Sequence, residues 1–432
     1  MHSRWILRSF ALAAGLVLAL PVVALAQTSR VEGMALQGDY IKDYTGIYSY
    51  PSCLPQVGNL VYAELGNNLT DPASGHPITT DRSMGVVMDK LFDGKLGVWG
   101  IHMRQETAQF GQGDAFSHAA AGFGQDPNSN VNEAFDLMWG KKSGTTSIGL
   151  RLKRSYSNLE VSAPGATTTL KFDIPGEAFN GSPDLARNIL GFGGGLGFQM
   201  SPTTNIELSV QYESRTYEFT TSPPTTGQED DGPSTYMLAG RAFWQWKPNC
   251  VVVPVVKYYS FDLSEKTTGI TPAVSLDNSL KGWQVGAAAN WTLGTNDLLV
   301  LGATFAQNKI EQQEDLFGIA NATGQGDTLN VTETLTPQIF GALETHVNSW
   351  LTLRVGANKG AFQKLKSEDQ GFGKSNIEFS FSSFNMNIGA GVKLGTLQLD
   401  AILSNDFPQN LGWIGSGIAK SYFPKVTATY AF

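Results

Sequence analysis

Beyond residue 57, polar and apolar residues alternate with period two in stretch after stretch, and each stretch is bounded by Gly, Pro, Asn, Asp or Ser. That pattern marks β-strands with one face in an apolar medium and the other in a polar one. It predicts strands at about Val57 to Leu65, Arg82 to Leu91, Lys95 to Arg104, Glu133 to Lys141, Thr145 to Ser155, Ile189 to Met200, Thr204 to Glu213 and Ser234 to Lys247. The series continues with Cys250 to Leu263, Lys281 to Leu293, Asp297 to Gln307, Leu335 to Val347, Trp350 to Lys359, Ile377 to Leu394, Leu397 to Asn405 and Tyr422 to Phe432.

The connections sort into two kinds. Those after even-numbered strands are tight, such as Asp93-Gly94, Ser143-Gly144, Pro248-Asn249 and Asn348-Ser349, whereas those after odd-numbered strands are long, as in Gln105 to Asn132 and Tyr156 to Asn188. Strict alternation of short and long connections belongs to a membrane-spanning up-and-down barrel, with tight turns on the periplasmic side and long loops outside. The expected fold is therefore all-β: a transmembrane antiparallel barrel of about 16 strands, within a range of 14 to 18. Trp139, Trp244, Trp246, Trp291 and Trp350 lie within a few residues of short turns, where an aromatic girdle would stand at one membrane interface. In Thr204 to Glu213, Ile206, Leu208, Val210 and Tyr212 oppose Asn205, Glu207, Ser209, Gln211 and Glu213, so the apolar face is expected to meet lipid and the polar face a wet lumen.

The chain ends in Phe432, preceded at every second position by Tyr430, Ala428 and Val426, with Lys425, Thr427 and Thr429 on the other face. This ending resembles the C-terminal strand of bacterial outer-membrane β-barrel proteins, a porin-like class. The resemblance implies that Phe432 and Tyr430 form the signal read by the barrel assembly machinery, and that the protein sits in the outer membrane, in contact with its lipid.

Composition narrows the classes. Charged residues make up 16% and there are 48 glycines, a balance that suits a large barrel with many turns. Arg4 and Arg8, the apolar run from Phe10 to Leu25 and Ala24-Leu25-Ala26 read as a secretory signal over residues 1–26. Residues 27–56 are then a periplasmic or plug segment carrying Tyr40, Tyr44, Tyr48 and Tyr50, and residues 57–432 the barrel. Without Arg4 and Arg8, 28 basic residues face 38 acidic ones, a net charge of −10, which argues against nucleic acid as a partner.

Chemistry-bearing motifs are few. His346 shares a strand face with Glu344, which could pair a base with a carboxylate, but two polar residues pointing into water is the simpler reading. No zinc-protease helix motif or nucleophile elbow occurs, so no enzyme, cofactor or metal site is expected. The run Gly191 to Gly197 places glycines at alternate positions of a strand, a row without side chains that lets another segment approach the wall. The lumen, by parity, is expected to carry Arg151, Lys153, Arg241, Lys257, Arg354 and Lys393 against Asp136, Glu207, Glu344 and Asp400, with His346 among them. Cys53 and Cys250 both fall at the periplasmic rim, where they could join only if the N-terminal segment crosses the opening.

The expected function is a pore or translocation path for small solutes, since sixteen strands enclose a lumen too wide for side chains to fill. Two alternatives use the same barrel: a plugged barrel for uptake of a hydrophobic ligand, resembling fatty-acid transporters, with residues 27–56 against the glycine row, or a scaffold that docks a secretion or surface-assembly partner. Assembly into a homo-oligomer stays open.

Overall fold

The structure is a computed structural model that describes residues 29–70, 77–89, 91–104, 133–160, 167–168, 179–180, 182–222, 226–230, 234–262, 264–268, 275–276, 279–314, 327–369, 376–404 and 425–432. Sixteen strands form the wall: β1 Leu60–Thr70, β2 Pro77–Met88, β3 Val98–Arg104, β4 Glu133–Ser143, β5 Thr146–Glu160, β6 Ser182–Ser201, β7 Thr204–Ser222, β8 Ser234–Lys247, β9 Cys250–Asp262, β10 Ser279–Leu293, β11 Asp297–Glu314, β12 Asp327–His346, β13 Leu351–Gly360, β14 Phe384–Leu394, β15 Leu397–Ser404 and β16 Lys425–Ala431. Each pairs antiparallel with its neighbours, and β1 pairs with both β2 and β16, from Leu60↔Ala431 to Leu65↔Val426. The ring of sixteen wall strands is therefore closed, with β1 and β16 paired to each other instead of standing as edges.

Every expected strand is present, but several run further toward the long-connection side than alternation alone indicates. β6 begins at Ser182 rather than Ile189, and β7 continues to Ser222 rather than Glu213. Gln363–Asp369 continues the line of β13 along β12, and Asn376–Phe381 pairs with it before leading into β14. Beyond the apolar band a strand needs no lipid-facing stripe, so the ladder of backbone hydrogen bonds extends there with polar residues on both faces. The external loops Gln105 to Asn132 and most of Tyr156 to Asn188, with the histidines His76 and His118, lie outside the described residues.

The wall is inverted relative to a soluble protein. On β7, Leu208, Val210 and Tyr212 are 47%, 49% and 46% exposed, while Glu207, Gln211 and Glu213 are no more than 3% exposed. Half-exposed leucine beside buried glutamate is unfavourable in water, but it is the stable arrangement when the outer medium is hydrocarbon. Trp244, Trp246 and Trp350 face outward beside the short turns, and Gly144, Gly294 and Gly395 take positive φ of 58°, 59° and 66° within those turns.

On β16, Lys425 and Thr427 are buried inside, whereas Tyr430 and Phe432 are half-exposed on the outside. Replacing Phe432 with Asp puts a charge at the lipid interface and is expected to cut the outer-membrane level of the protein severely. Thr429→Asp puts the same charge on the inner face, where Thr429 borders the open vestibule described below, and should leave that level near normal. Immunoblots of outer-membrane fractions check both, and equal levels would mean that this facing is wrong.

Candidate functional site: an N-terminal belt inside the barrel

The lumen is not an open wet channel. Its short-turn half is filled by residues 29–57, which run around the inner wall as a belt. The belt has little regular structure, only single turns at Ser29–Glu32, Gly38–Tyr40, Gly46–Ser49 and Pro51–Gln56, so most of its backbone groups need partners from elsewhere. Wall side chains supply them. Asn387 donates to the Glu32 carbonyl at 2.7 Å, Asn358 to Ala35 at 3.1 Å and Asn290 to Tyr40 at 2.8 Å. Further round, Arg241 donates to the Asp39 carbonyl at 3.1 Å, and Arg151 and Gln211 both donate to the Tyr48 carbonyl, at 2.9 and 3.0 Å.

Apolar anchors alternate with these bonds. Val31, Met34, Tyr40, Ile41, Ile47, Tyr48, Tyr50 and Leu54 are at most 1% exposed. They pack in two clusters, one around Phe243, Val253, Val300 and Phe340 and the other around Tyr62, Val87, Met138 and Met237. Arg241 lies over the Tyr50 ring at 4.2 Å. Burial pushes the Tyr50 phenol and the Cys53 thiol well above their ordinary pKa ranges, so both stay protonated.

Close approach depends on glycine. A Cβ at Gly356 would overlap the Met34 carbonyl and one at Gly149 the Pro51 carbonyl, while at Gly195 it would stand 2.7 Å from the Ser52 nitrogen. The glycine row of β6 is thus the seat of the turn Pro51–Gln56, the close approach expected from its spacing.

Ion pairs fasten the belt. Arg30 bonds Glu344 through two nitrogens, both at 2.8 Å, and Arg354 bonds the same carboxylate at 2.6 Å and Asp400 at 2.6 Å. Asp39 pairs with Lys257 at 2.7 Å. Glu32 and Glu64 both reach Lys425 at 2.8 Å, and Ser29 and Thr427 hydrogen-bond through their hydroxyls at 2.8 Å, so the belt's first turn is tied across the seam between β16 and β1.

Nine of the residues expected in the lumen are there, buried and bonded: Arg151 to Asp136, Lys153 to Glu213, Glu207 to Arg241, Lys257 to Asp39, and Glu344, Arg354 and Asp400 in one network. Two lie elsewhere. His346 and Lys393 sit exposed at the short-turn rim because their strands end there, and His346 faces Asp297 at 3.8 Å rather than Glu344. Glu344 is instead occupied by the two arginines. Cys53 and Cys250 are both buried free thiols; Cys53 accepts from Arg241 at 3.4 Å. Glu64 and the wall amides Asn358 and Asn387 escaped sequence reading, although inner-face parity could have found them. Below the belt an open vestibule of about 1080 Å³ is bordered by Arg30, Lys42, Asp43, Arg241, His346 and Lys393.

No family model matches the sequence, and no curated protein matches it. Among solved structures, the toluene transporter TodX of Pseudomonas putida covers 94% of this chain and 95% of its own at 10% identity and a TM-score of 0.39. A FadL homologue of Pseudomonas aeruginosa covers 94% and 98% at 11% identity and 0.41, and CdiB of Escherichia coli covers 87% and 63% at 8% identity and 0.41. Such values transfer neither cargo nor partner to this chain; its own closed ring, lipid-facing apolar band and buried polar lining make it an integral outer-membrane β-barrel.

Proposed function

We propose that this barrel carries small solutes across the outer membrane through a lumen that its own N-terminal belt closes and opens. The observation that carries the reading is the chemistry of the belt contact. It occludes the lumen, yet it is held in large part by ion pairs and amide bonds whose partners water could solvate. Burying such pairs costs desolvation nearly equal to their attraction, so they add little to docking beyond what the buried apolar anchors supply, and water can replace them when the belt moves. A permanent wall would be better served by apolar packing alone. The reading assigns no covalent chemistry to any residue, and recognition of Tyr430 and Phe432 by the assembly machinery belongs to it.

The reading of a plugged barrel for hydrophobic ligands is favoured by one observation. On the far side of the belt, the inner faces of β8 to β11 carry Met237, Tyr259, Phe261, Leu280 and Ile310 rather than charges. Both readings need the belt to move.

The belt is continuous with β1 at one end, so a single tether at the other end fixes it. Ser29→Cys with Thr427→Cys, in a background with Cys53 and Cys250 replaced by Ser, places two thiols where two hydroxyls already meet. Planar-bilayer recordings of the refolded protein should show openings in the reduced double variant and none after oxidation, with openings restored by reductant. Identical records in both states would overturn the gating role.

A further inference from the structure

We infer that the outer surface of β10 and β11 holds the phosphate head of an outer-leaflet glycolipid, between Lys281 and Lys309 and just beyond an outer aromatic girdle. The inference is independent of the translocation reading.

Outward aromatic side chains stand at two levels. Trp244, Trp246 and Trp350 lie beside the short turns, while Tyr212, Tyr236, Tyr258 and Trp283, at 46%, 37%, 41% and 41% exposure, lie toward the long connections. Tyr212 is opposite Tyr236 and Tyr258 opposite Trp283, and the rings of Tyr236 and Tyr258 are 6.1 Å apart. On β8, Tyr236 and Trp244 are eight residues apart. That is about 27 Å along the strand and about 20 Å in height once the strand is tilted, near the roughly 25 Å of an apolar band. The second level therefore marks the outer membrane interface.

Lys281 is the next outward residue beyond Trp283 on β10, about 7 Å further along the strand, at head-group depth. It is exposed, and its direct cross-strand partner is Lys309 on β11, whose side chain is 59% exposed. Thr332 is opposite Lys309, and Lys366 opposite Thr332, so a hydroxyl and a third ammonium continue the row. Like charges directly opposite one another are destabilising, and an anion between them reverses the sign.

The carboxylates nearby do not supply that anion. Glu311 reaches Lys309 at 3.8 Å, Glu378 reaches Lys364 at 3.1 Å, Glu368 pairs with Lys366, and Asp262 is held by the Ser264 hydroxyl at 2.6 Å. None of these four pairs with Lys281. The three ion pairs are exposed and worth little in water, so they yield to a phosphate monoester, which carries nearly two negative charges near neutral pH. Inward along the membrane from the lysines, Trp283, Val285 and Phe305 present apolar surface, with Val285 directly opposite Phe305. An anionic head over an apolar wall fits a lipid better than a soluble ion. The outer leaflet is where glycolipids bearing phosphate monoesters reside.

The test uses the refolded full-length barrel in dodecyl maltoside micelles doped with lipid A, with dephosphorylated lipid A or with phosphatidylethanolamine, retained lipid being counted by native mass spectrometry. The native barrel should retain lipid A about tenfold more than either other lipid. Lys281→Gln with Lys309→Gln should abolish that preference, and Lys281→Arg with Lys309→Arg should keep it. Lys141→Gln with Lys142→Gln removes the same charge from exposed positions at the short-turn end of β4 and should change nothing. A heat-modifiable band confirms that each variant is folded. Equal retention of lipid A and its dephosphorylated form by the native barrel would overturn the site. So would an undiminished preference in the Lys281/Lys309 glutamine variant, or an equal loss in the Lys141/Lys142 control. Inorganic phosphate in excess should not strip the lipid; if it does, the lysines read a phosphate ion and the lipid assignment falls.

Discussion

Removal of residues 29–56 is expected to raise the conductance of the refolded barrel at least tenfold, from a closed level with brief openings to a steady open one. The wall does not depend on the belt for its hydrogen bonds: each strand pairs with two neighbours, and the seam closes through Leu60↔Ala431 to Leu65↔Val426. Without the belt, Lys257, Arg241, Glu344 and Lys425 lose partners, but water enters with them, and a charge in an aqueous lumen has little desolvation left to suffer. A sixteen-stranded cylinder emptied of its lining is wide enough for an aqueous path. Among the described inner-wall residues, Arg151, Lys153, Arg241, Lys257, Arg354 and Lys425 balance Glu64, Asp136, Glu207, Glu213, Glu344 and Asp400. The open channel should therefore discriminate only weakly between cations and anions. Bilayer recordings in asymmetric salt measure both quantities, and a truncated but folded barrel that stays closed would show that something other than the belt blocks the lumen.

A single methyl-bearing side chain should open the barrel in part, provided it stands on the correct face. Gly195→Val directs its side chain into the seat of the Pro51–Gln56 turn, where a Cβ alone would lie 2.7 Å from the Ser52 nitrogen and 3.1 Å from Pro51. Overpacking of this kind costs about 1–3 kcal/mol and falls on the docked state alone, so openings should become about tenfold more frequent. Gly194→Val, one residue away, points toward lipid, where the nearest atom is Val210 Cγ1 at 3.8 Å. It adds apolar surface to an apolar medium and should leave the record unchanged. Opening frequencies of the two variants decide the matter: similar behaviour of both would mean that the glycine row does not seat the belt.

Much of the wall is legible in the chain alone, for a physical reason. A strand between lipid and lumen faces two media, so Leu208, Val210 and Tyr212 must alternate with Glu207, Ser209, Gln211 and Glu213, and the period of two reports both conformation and facing. The tight turns are legible because Gly144, Gly294 and Gly395 supply the positive φ that such reversals require. The short–long alternation of connections follows from the up-and-down order.

What lies inside the wall was decided by the tertiary structure. Residues 29–57 have no periodicity because no regular element satisfies them; their backbone is completed by Asn290, Asn358, Asn387, Arg151 and Gln211, all more than 100 residues away in sequence. Parity shows that Arg151, Lys153, Arg241, Lys257 and Arg354 point inward, but it cannot distinguish a solvated charge from a buried pair. That distinction depends on what fills the lumen, and hence on whether an aromatic, glycine-seated segment finds room there. His346 and Lys393 show the same limit: their parity is inward, yet they stand at the rim in water, because position along the barrel axis is set by where each strand stops, which alternation does not encode.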